Sequence, residues 1–173
     1  MKYQEHRVGI FIDVQNVFYS AKNLYGAYPD YGKILNKVVE GRKLICAFAY
    51  AVRAYLPKQE DFFSALESVG FEVKTKDLQV FPGGIKKGNW DVGIAVDILR
   101  FSKRVDAIIL VSGDGDFADL LNFLKHEGVK TEVAAFGKTC SAKLKEEADE
   151  FLDLDENPKN YLIKKYSKYK FKK

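Results

Sequence analysis

The sequence predicts an α/β protein, a mainly parallel β-sheet covered by helices on both faces. Three observations carry this reading. Short continuous apolar runs, Val8–Ile12 (VGIFI), Leu44–Val52 (LICAFAYAV) and Ala107–Val111 (AIILV), read as strands buried on both faces. Stretches with helical periodicity separate the runs, so strand and helix alternate along the chain. No internal repeat or interdomain linker interrupts the alternation, and 173 residues is the length of one domain.

Val8–Ile12 is the first strand. A helical stretch follows from about Asn16 to Leu24, and another from about Tyr31 to Glu40. Leu44–Val52 is the second strand. Lys58–Ser68 reads as an amphipathic helix with Phe62, Phe63, Leu66 and Val69 on its apolar side and Gly70 as its stop. Phe71–Lys76 is the third strand, Leu78–Phe81 a short addition, and Pro82-Gly83-Gly84 a loop. Trp90–Lys103 is a strong helix. Ala107–Val111 is a strand, and Phe117–His126 a helix stopped by Gly128. Val129–Phe136 is the last core strand, followed by a helix near Ser141–Ala148.

Composition excludes several classes. With 47% hydrophobic and 30% charged residues, the chain is neither intrinsically disordered nor a membrane protein. No apolar run approaches the ~18 residues that suggest a membrane span. The start, MKYQEHRVGIF, lacks the long apolar stretch of a signal peptide, so a cytoplasmic location is expected. Cys46 and Cys140 form no metal spacing and no disulfide framework, which agrees with a reducing compartment. His6 and His126 are the only histidines, so a histidine-rich zinc or iron site is excluded. The net charge of +4 is unevenly spread. Residues 157–173 hold seven lysines and no acid, which leaves residues 1–156 at −3. The chain therefore divides into a slightly acidic body, 1–156, and a basic tail, 157–173.

In open α/β sheets, ligands bind outside the carboxyl ends of the strands. Asp13-Val14-Gln15-Asn16 follows the first strand, and Ser112-Gly113-Asp114-Gly115-Asp116 follows AIILV. If these strands are neighbours, their acids converge on one crevice. Gly113 and Gly115 permit tight or left-handed turns that let Asp114 and Asp116 share a space. Either acid alone reads as the N-cap of the helix at Phe117. The pair together with Asp13 points instead to a hard divalent cation, Mg²⁺ or Mn²⁺, because converging carboxylates need their charge offset. Wound at about 100° per residue, Trp90–Arg104 places Ile94, Ala95, Ile98, Leu99 and Phe101 around Asp91, so Asp91 faces inward. A carboxylate there is costly unless it is paired or bound to a cation. Asp97 falls on the polar margin, near Arg100, and reads equally as a partly exposed salt bridge or a functional group. Asn16 reads as a helix N-cap, as an orienting partner of Asp13 or a bound water, or as both. Ser112 could hydrogen-bond a carboxylate or phosphate, or cap a turn.

Lys86 and Lys87, in the loop before the Asp91 helix, are candidates for phosphate contact, or are simply solvated. The tail interleaves its lysines with Tyr161, Tyr166, Tyr169 and Phe171. There Lys164, Lys165 and Lys168 suit phosphates, and Tyr166 and Tyr169 suit unpaired bases. A solubilising terminus, or an aromatic-anchored helix on the body, is the alternative. Cys140 precedes a helix but has no paired base, so nucleophilic catalysis is not expected.

Together, FIDVQNVFYSAK, KKGNWDVGIAVDIL and VSGDGDF, with the later LKEEADEFLDL, resemble the NYN domain, in its LabA-like branch. The resemblance covers about residues 7–154. It implies a PIN-like α/β/α sandwich with a parallel central sheet and an acidic pocket for Mg²⁺ or Mn²⁺, in a family of known or expected ribonucleases. Carried over by motif, the acids are Asp13, Asp91, Asp114 and Asp116, supported by Asn16 and Ser112. The resemblance also raises the weight on Asp97. The expected function is hydrolysis of RNA phosphodiesters, leaving a 5′-phosphate and a 3′-hydroxyl, with single-stranded RNA the favoured substrate and a homodimer allowed. The alternatives are a non-catalytic RNA-binding or regulatory module and, more remotely, an aspartyl-phosphate phosphotransfer protein. Against the last, Gln15 replaces the second acid that a dehalogenase-type DxD requires.

Overall fold

A computed structural model of the protein describes residues 5–84 and 86–163. In chain order the regular elements are β1 (Arg7–Asp13), α1 (Val14–Tyr25), β2 (Tyr28–Pro29), α2 (Tyr31–Val39), β3 (Lys43–Arg53), α3 (Gln59–Ser68), β4 (Glu72–Asp77), β5 (Gln79–Val80), β6 (Lys86–Lys87) and α4 (Asp91–Ser102). Then come β7 (Ala107–Val111), α5 (Ala118–His126), β8 (Lys130–Ala135), α6 (Ala142–Glu147), β9 (Glu150–Asp153) and β10 (Leu162–Ile163). Short 3₁₀ turns lie at Gly115–Phe117, Gly137–Thr139 and Pro158–Asn160.

Six strands form one sheet in the order β4-β3-β1-β7-β8-β9. Every neighbouring pair is parallel. From β1 the chain steps outward through β3 and β4, then returns to β7 on the other side, so the strand order reverses between β1 and β7. Alternation along the strands splits the core in two. Ile10 and Ile12 of β1 and Ile109 and Val111 of β7 pack with α1, α2 and α3. Phe11, Ile108 and Leu110 pack with α4, α5 and α6 on the opposite face. The result is the three-layer α/β/α sandwich. Among the described residues, no helix is long and apolar enough to cross a membrane.

The sequence reading and the structure part at instructive places. β9 (EFLD) is a sixth strand with no continuous apolar run, because it is a half-buried edge. Its Glu150 lies opposite Glu132 of β8. Lys130 offsets that repulsion, with its Nζ 2.6 Å from Glu150 and 3.4 Å from Glu132. Arg42 makes the second contribution: its Nη1 and Nη2 donate to the two Glu132 oxygens at 2.7 and 2.9 Å, and Nη2 also donates to the Val38 carbonyl. The segment from Pro158 to Ile163 folds onto the body. Tyr161 is buried there and its carbonyl accepts the Asp30 N–H, while β10 pairs with β2. On α3, Phe63 and Leu66 are buried but Val69 is 44% exposed, outside the apolar face expected of it.

The face of α4 is also rotated from the helical-wheel expectation. Leu99 is 41% exposed and Asp97 is 7% exposed. Asp97 is therefore no marginal salt bridge. Its Oδ2 accepts from the Tyr50 hydroxyl at 3.0 Å and from Lys74 at 2.7 Å, and its Oδ1 accepts from Arg100. These donors, which come mostly from β3 and β4, make burial of the carboxylate affordable, and no helical wheel can contain them.

The Arg42–Glu132 pair generates a stability prediction. Both side chains are almost fully enclosed. Glu132→Gln leaves the Arg42 charge without its counterion and lowers the unfolding free energy by about 3 kcal/mol in urea denaturation. An unchanged midpoint contradicts the assignment of this pair as a support of the sheet edge.

Candidate metal and nucleic-acid site

The carboxyl ends of β1 and β7 flank the crevice where strand order reverses. Asp13 ends β1 and caps α1, which starts at Val14 rather than at Asn16. Its Oδ1 accepts the Asn16 N–H at 3.1 Å. Asn16 is thus not the cap. Its side-chain Oδ1 instead accepts the Gly113 N–H at 2.9 Å, which ties α1 to the loop after β7. The Tyr31 hydroxyl donates to the Val14 carbonyl and fixes the same junction from α2.

The loop after β7 is pinned from within. Ser112 is fully buried, and its Oγ accepts the Asp114 N–H at 3.2 Å, so it shapes the turn and offers no surface to a phosphate. Asp114 Oδ1 accepts the Asp116 N–H at 3.0 Å, capping the short 3₁₀ turn. Neither Gly113 nor Gly115 has a left-handed backbone. They are needed for close approach instead. A Cβ on Gly113 would lie 3.1 Å from Cys140 Cα, and one on Gly115 would lie 2.6 Å from Ser141 Oγ.

Asp91 is the first residue of α4, one turn before the buried Ile94. The Trp90 indole N–H donates to the Ala51 carbonyl and anchors that helix start on β3. Asn89 Nδ2 donates to Asp91 Oδ2 at 2.6 Å and orients the carboxylate.

Among the described residues, Asp91, Asp114 and Asp116 each bring a carboxylate oxygen within 4.8 Å of the others. Burial raises the Asp91 pKa, and the charges of Asp114 and Asp116 raise it further. Asp13 stands outside this triad but is electrostatically coupled to it. Its burial, with the charges of Asp91 and Asp114, pushes its carboxyl up to about 6 against the opposing Asn16 hydrogen bond. The donor set is all carboxylate oxygen, clustered and partly desolvated, and suits a hard divalent cation such as Mg²⁺ or Mn²⁺. Asp97 is turned away into its own network with Tyr50, Lys74 and Arg100.

Two cations at the rim are not legible in the sequence. Lys76, on the edge strand β4, lies 4.4 Å from the Trp90 ring centroid and favours the ionised form of Asp91. Lys143 of α6 pairs with Asp119 at 2.7 Å and interacts electrostatically with Asp116. Only the fold brings these lysines near acids so distant in sequence. Lys86 and Lys87 form the strand β6 beside β5, and their side chains lie outside the described part of the structure. Lys164, Lys165, Tyr166, Lys168 and Tyr169 lie outside the described residues. Burial pushes the Cys140 thiol up, which makes it a poorer nucleophile.

Comparison with known proteins matches a family, a relative and solved structures. The model of the NYN domain matches residues 7–155. The Low amplitude and bright protein LabA of Synechococcus elongatus is 29% identical over 164 residues, covering 90% of this chain and 88% of that one. A crystal structure of a Vibrio parahaemolyticus protein of unknown function superposes with a TM-score of 0.85 at 34% identity, over 94% of this chain and 99% of that one. The matched span contains both strand ends, the start of α4, the three clustered acids and Asp13, and the chain belongs to the NYN domain family.

Proposed function

We propose that this protein is a metal-dependent ribonuclease that hydrolyses phosphodiester bonds of single-stranded RNA. The observation that carries the proposal is the convergence of Asp91, Asp114 and Asp116 within 4.8 Å at the strand-order reversal. Membership of a nuclease-like family supports it. Asp91, Asp114 and Asp116 would hold the ion, with Asp13 beside them. A bound Mg²⁺ or Mn²⁺ supplies positive charge at the scissile phosphate and lowers the pKa of an attacking water.

The chain's own groups do the rest. Asn89 orients Asp91, while Ser112 and Asn16 hold the Asp114–Asp116 loop in register. Asp13, buried beside these acids, would add a fourth carboxylate to the acidic set. Lys76 offers a cation at the rim for a neighbouring phosphate. Single strands suit the site because an exposed pocket must reach the backbone directly. A phosphotransfer role fits less well, because Lys138, the lysine after β8, sits 5.6 Å from the Tyr25 ring centroid and its backbone N–H donates to Asp155.

The direct test incubates labelled single-stranded RNA and DNA with the protein in Mg²⁺, Mn²⁺ or EDTA and maps the product ends. Cleavage of RNA with a divalent ion, none in EDTA, and 5′-phosphate ends are expected. Asp114→Asn lowers the rate by at least about 100-fold, the upper range for mere outer-shell partners, and keeps RNA binding. RNA binding by wild type without cleavage in Mn²⁺ overturns catalysis in favour of a non-catalytic RNA-binding role.

Asp13 also sets a pH dependence. Its folded-state carboxyl, near 6, lies above the ~3.9 of an unfolded chain. Between about pH 4 and 6 the folded state binds more protons than the unfolded state, so this group lowers stability as pH rises and has no further effect above that window. A gap of about two pH units is worth about 3 kcal/mol. Asp13→Asn in EDTA should match wild type near pH 4 and exceed it by up to about 3 kcal/mol at pH 7, by urea denaturation. A difference independent of pH contradicts the account of Asp13.

A further inference from the structure

α1 leads away from the acidic site and carries an exposed group of aromatic rings. Asn16 and Ser20 face the loops at the carboxyl edge of the sheet: Asn16 accepts the Gly113 N–H, and Ser20 Oγ accepts from the Thr139 hydroxyl. Tyr19 projects about 60° around the helix from Asn16, between that face and solvent. It is 55% exposed. Its ring meets Phe18 edge-on at 5.4 Å, and Phe18 in turn stacks on Tyr28 of β2 at 5.7 Å and 28°. Tyr28 is 40% exposed. Lys22 Nζ stands 5.7 Å from the Phe18 ring centroid. Tyr19 lies six residues from Asp13, about 9 Å along the helix.

The chain path adds a second observation. Ile163 of β10 pairs with Tyr28, and the sequence continues directly into Lys164 and Lys165. Contiguous rings, two of them exposed, beside a lysine are the chemistry of a base-stacking surface.

We propose that Phe18, Tyr19 and Tyr28, with Lys22, form a stacking ledge for the unpaired bases of an RNA strand whose adjoining phosphate lies at the Asp91–Asp114–Asp116 cluster. The inference rests on the RNA-directed reading of that cluster. The ledge gives the site a preference for single strands, since bases paired in a helix do not offer their faces. It gives little sequence preference, since every base has a π-face.

The test is fluorescence anisotropy with a labelled single-stranded oligouridine, its abasic counterpart of equal length and a duplex, in Ca²⁺ buffer over a range of salt. Tyr19 is exposed, so its variants are expected to fold, and circular dichroism checks this. Tyr19→Ala should bind the oligouridine roughly tenfold more weakly, with its salt slope unchanged. Tyr19→Phe should bind as wild type does. Wild type should bind the abasic strand about as weakly as Tyr19→Ala binds the normal one, and the duplex more weakly than oligouridine. Lys22→Ala should instead reduce the salt slope by about 0.7. Wild-type affinity in Tyr19→Ala, or no RNA binding by wild type, overturns the ledge. Cleavage assays on the same proteins separate the two proposals. RNA cleavage with an unchanged KM in Tyr19→Ala sinks the ledge and leaves the ribonuclease reading. A Tyr19-dependent affinity without cleavage sinks the ribonuclease reading and leaves the ledge.

Discussion

Carboxylates within 4.8 Å of one another repel, and at the edge of this sheet three of them are held that close. At the effective dielectric of a protein surface, two ionised groups at such a distance cost on the order of 3 kcal/mol. Burial of Asp91 adds to the cost. The neighbouring groups keep the acids in place against this repulsion. Asn89 holds Asp91, Ser112 holds the backbone of Asp114, and Asn16 clips the loop to α1. Glycine at 113 and 115 lets the loop press against the Thr139–Ser141 segment without steric conflict. In the proposed function a cation offsets this repulsion and attracts a phosphate.

The sheet supplies the geometry. Strand order reverses between β1 and β7, and Asp13 and the Asp114 loop stand at the carboxyl ends of those two strands. Asp91 arrives from a helix whose start is locked to β3 through Trp90. Away from those strand ends, the sheet edge carries its own like-charge conflict, Glu132 against Glu150, resolved by Arg42 and Lys130. Both ends of the sheet thus concentrate acid. One is neutralised by the protein's own cations, and the other keeps three carboxylates within 4.8 Å of one another.

Much of this was legible in the sequence, for physical reasons. Runs such as VGIFI and AIILV are long enough and apolar enough to be central strands, and central strands fix the topology. The acids after them stand out because each directly follows an apolar run. β9 was hidden because an edge strand buries only one half and needs no apolar run. Asp97 was misplaced because its burial depends on Tyr50 and Lys74, donors from strands distant in sequence. Of the tight or left-handed turns expected at Gly113 and Gly115, the left-handed alternative is absent, and close approach to Cys140 and Ser141 demands glycine there. Asn16 was read as a cap, as an orienting partner of Asp13 or a bound water, or as both; Asp13 takes the cap position, and the Asn16 amide makes a contact 97 residues away. Lys76, Lys143 and the rings of Phe18, Tyr19 and Tyr28 take up these positions only after the chain folds.

The central claim is that the acidic cluster is a divalent-cation site. Mn²⁺ binding followed by electron paramagnetic resonance tests it most directly, because bound Mn²⁺ loses the sharp signal of the free ion. The account predicts saturable loss of signal with wild type at neutral pH and competition by Mg²⁺. It predicts near-complete recovery of the free signal with Asp91→Asn, in a protein whose fold is intact by circular dichroism. Titration of wild type that leaves the free Mn²⁺ signal unchanged would contradict it.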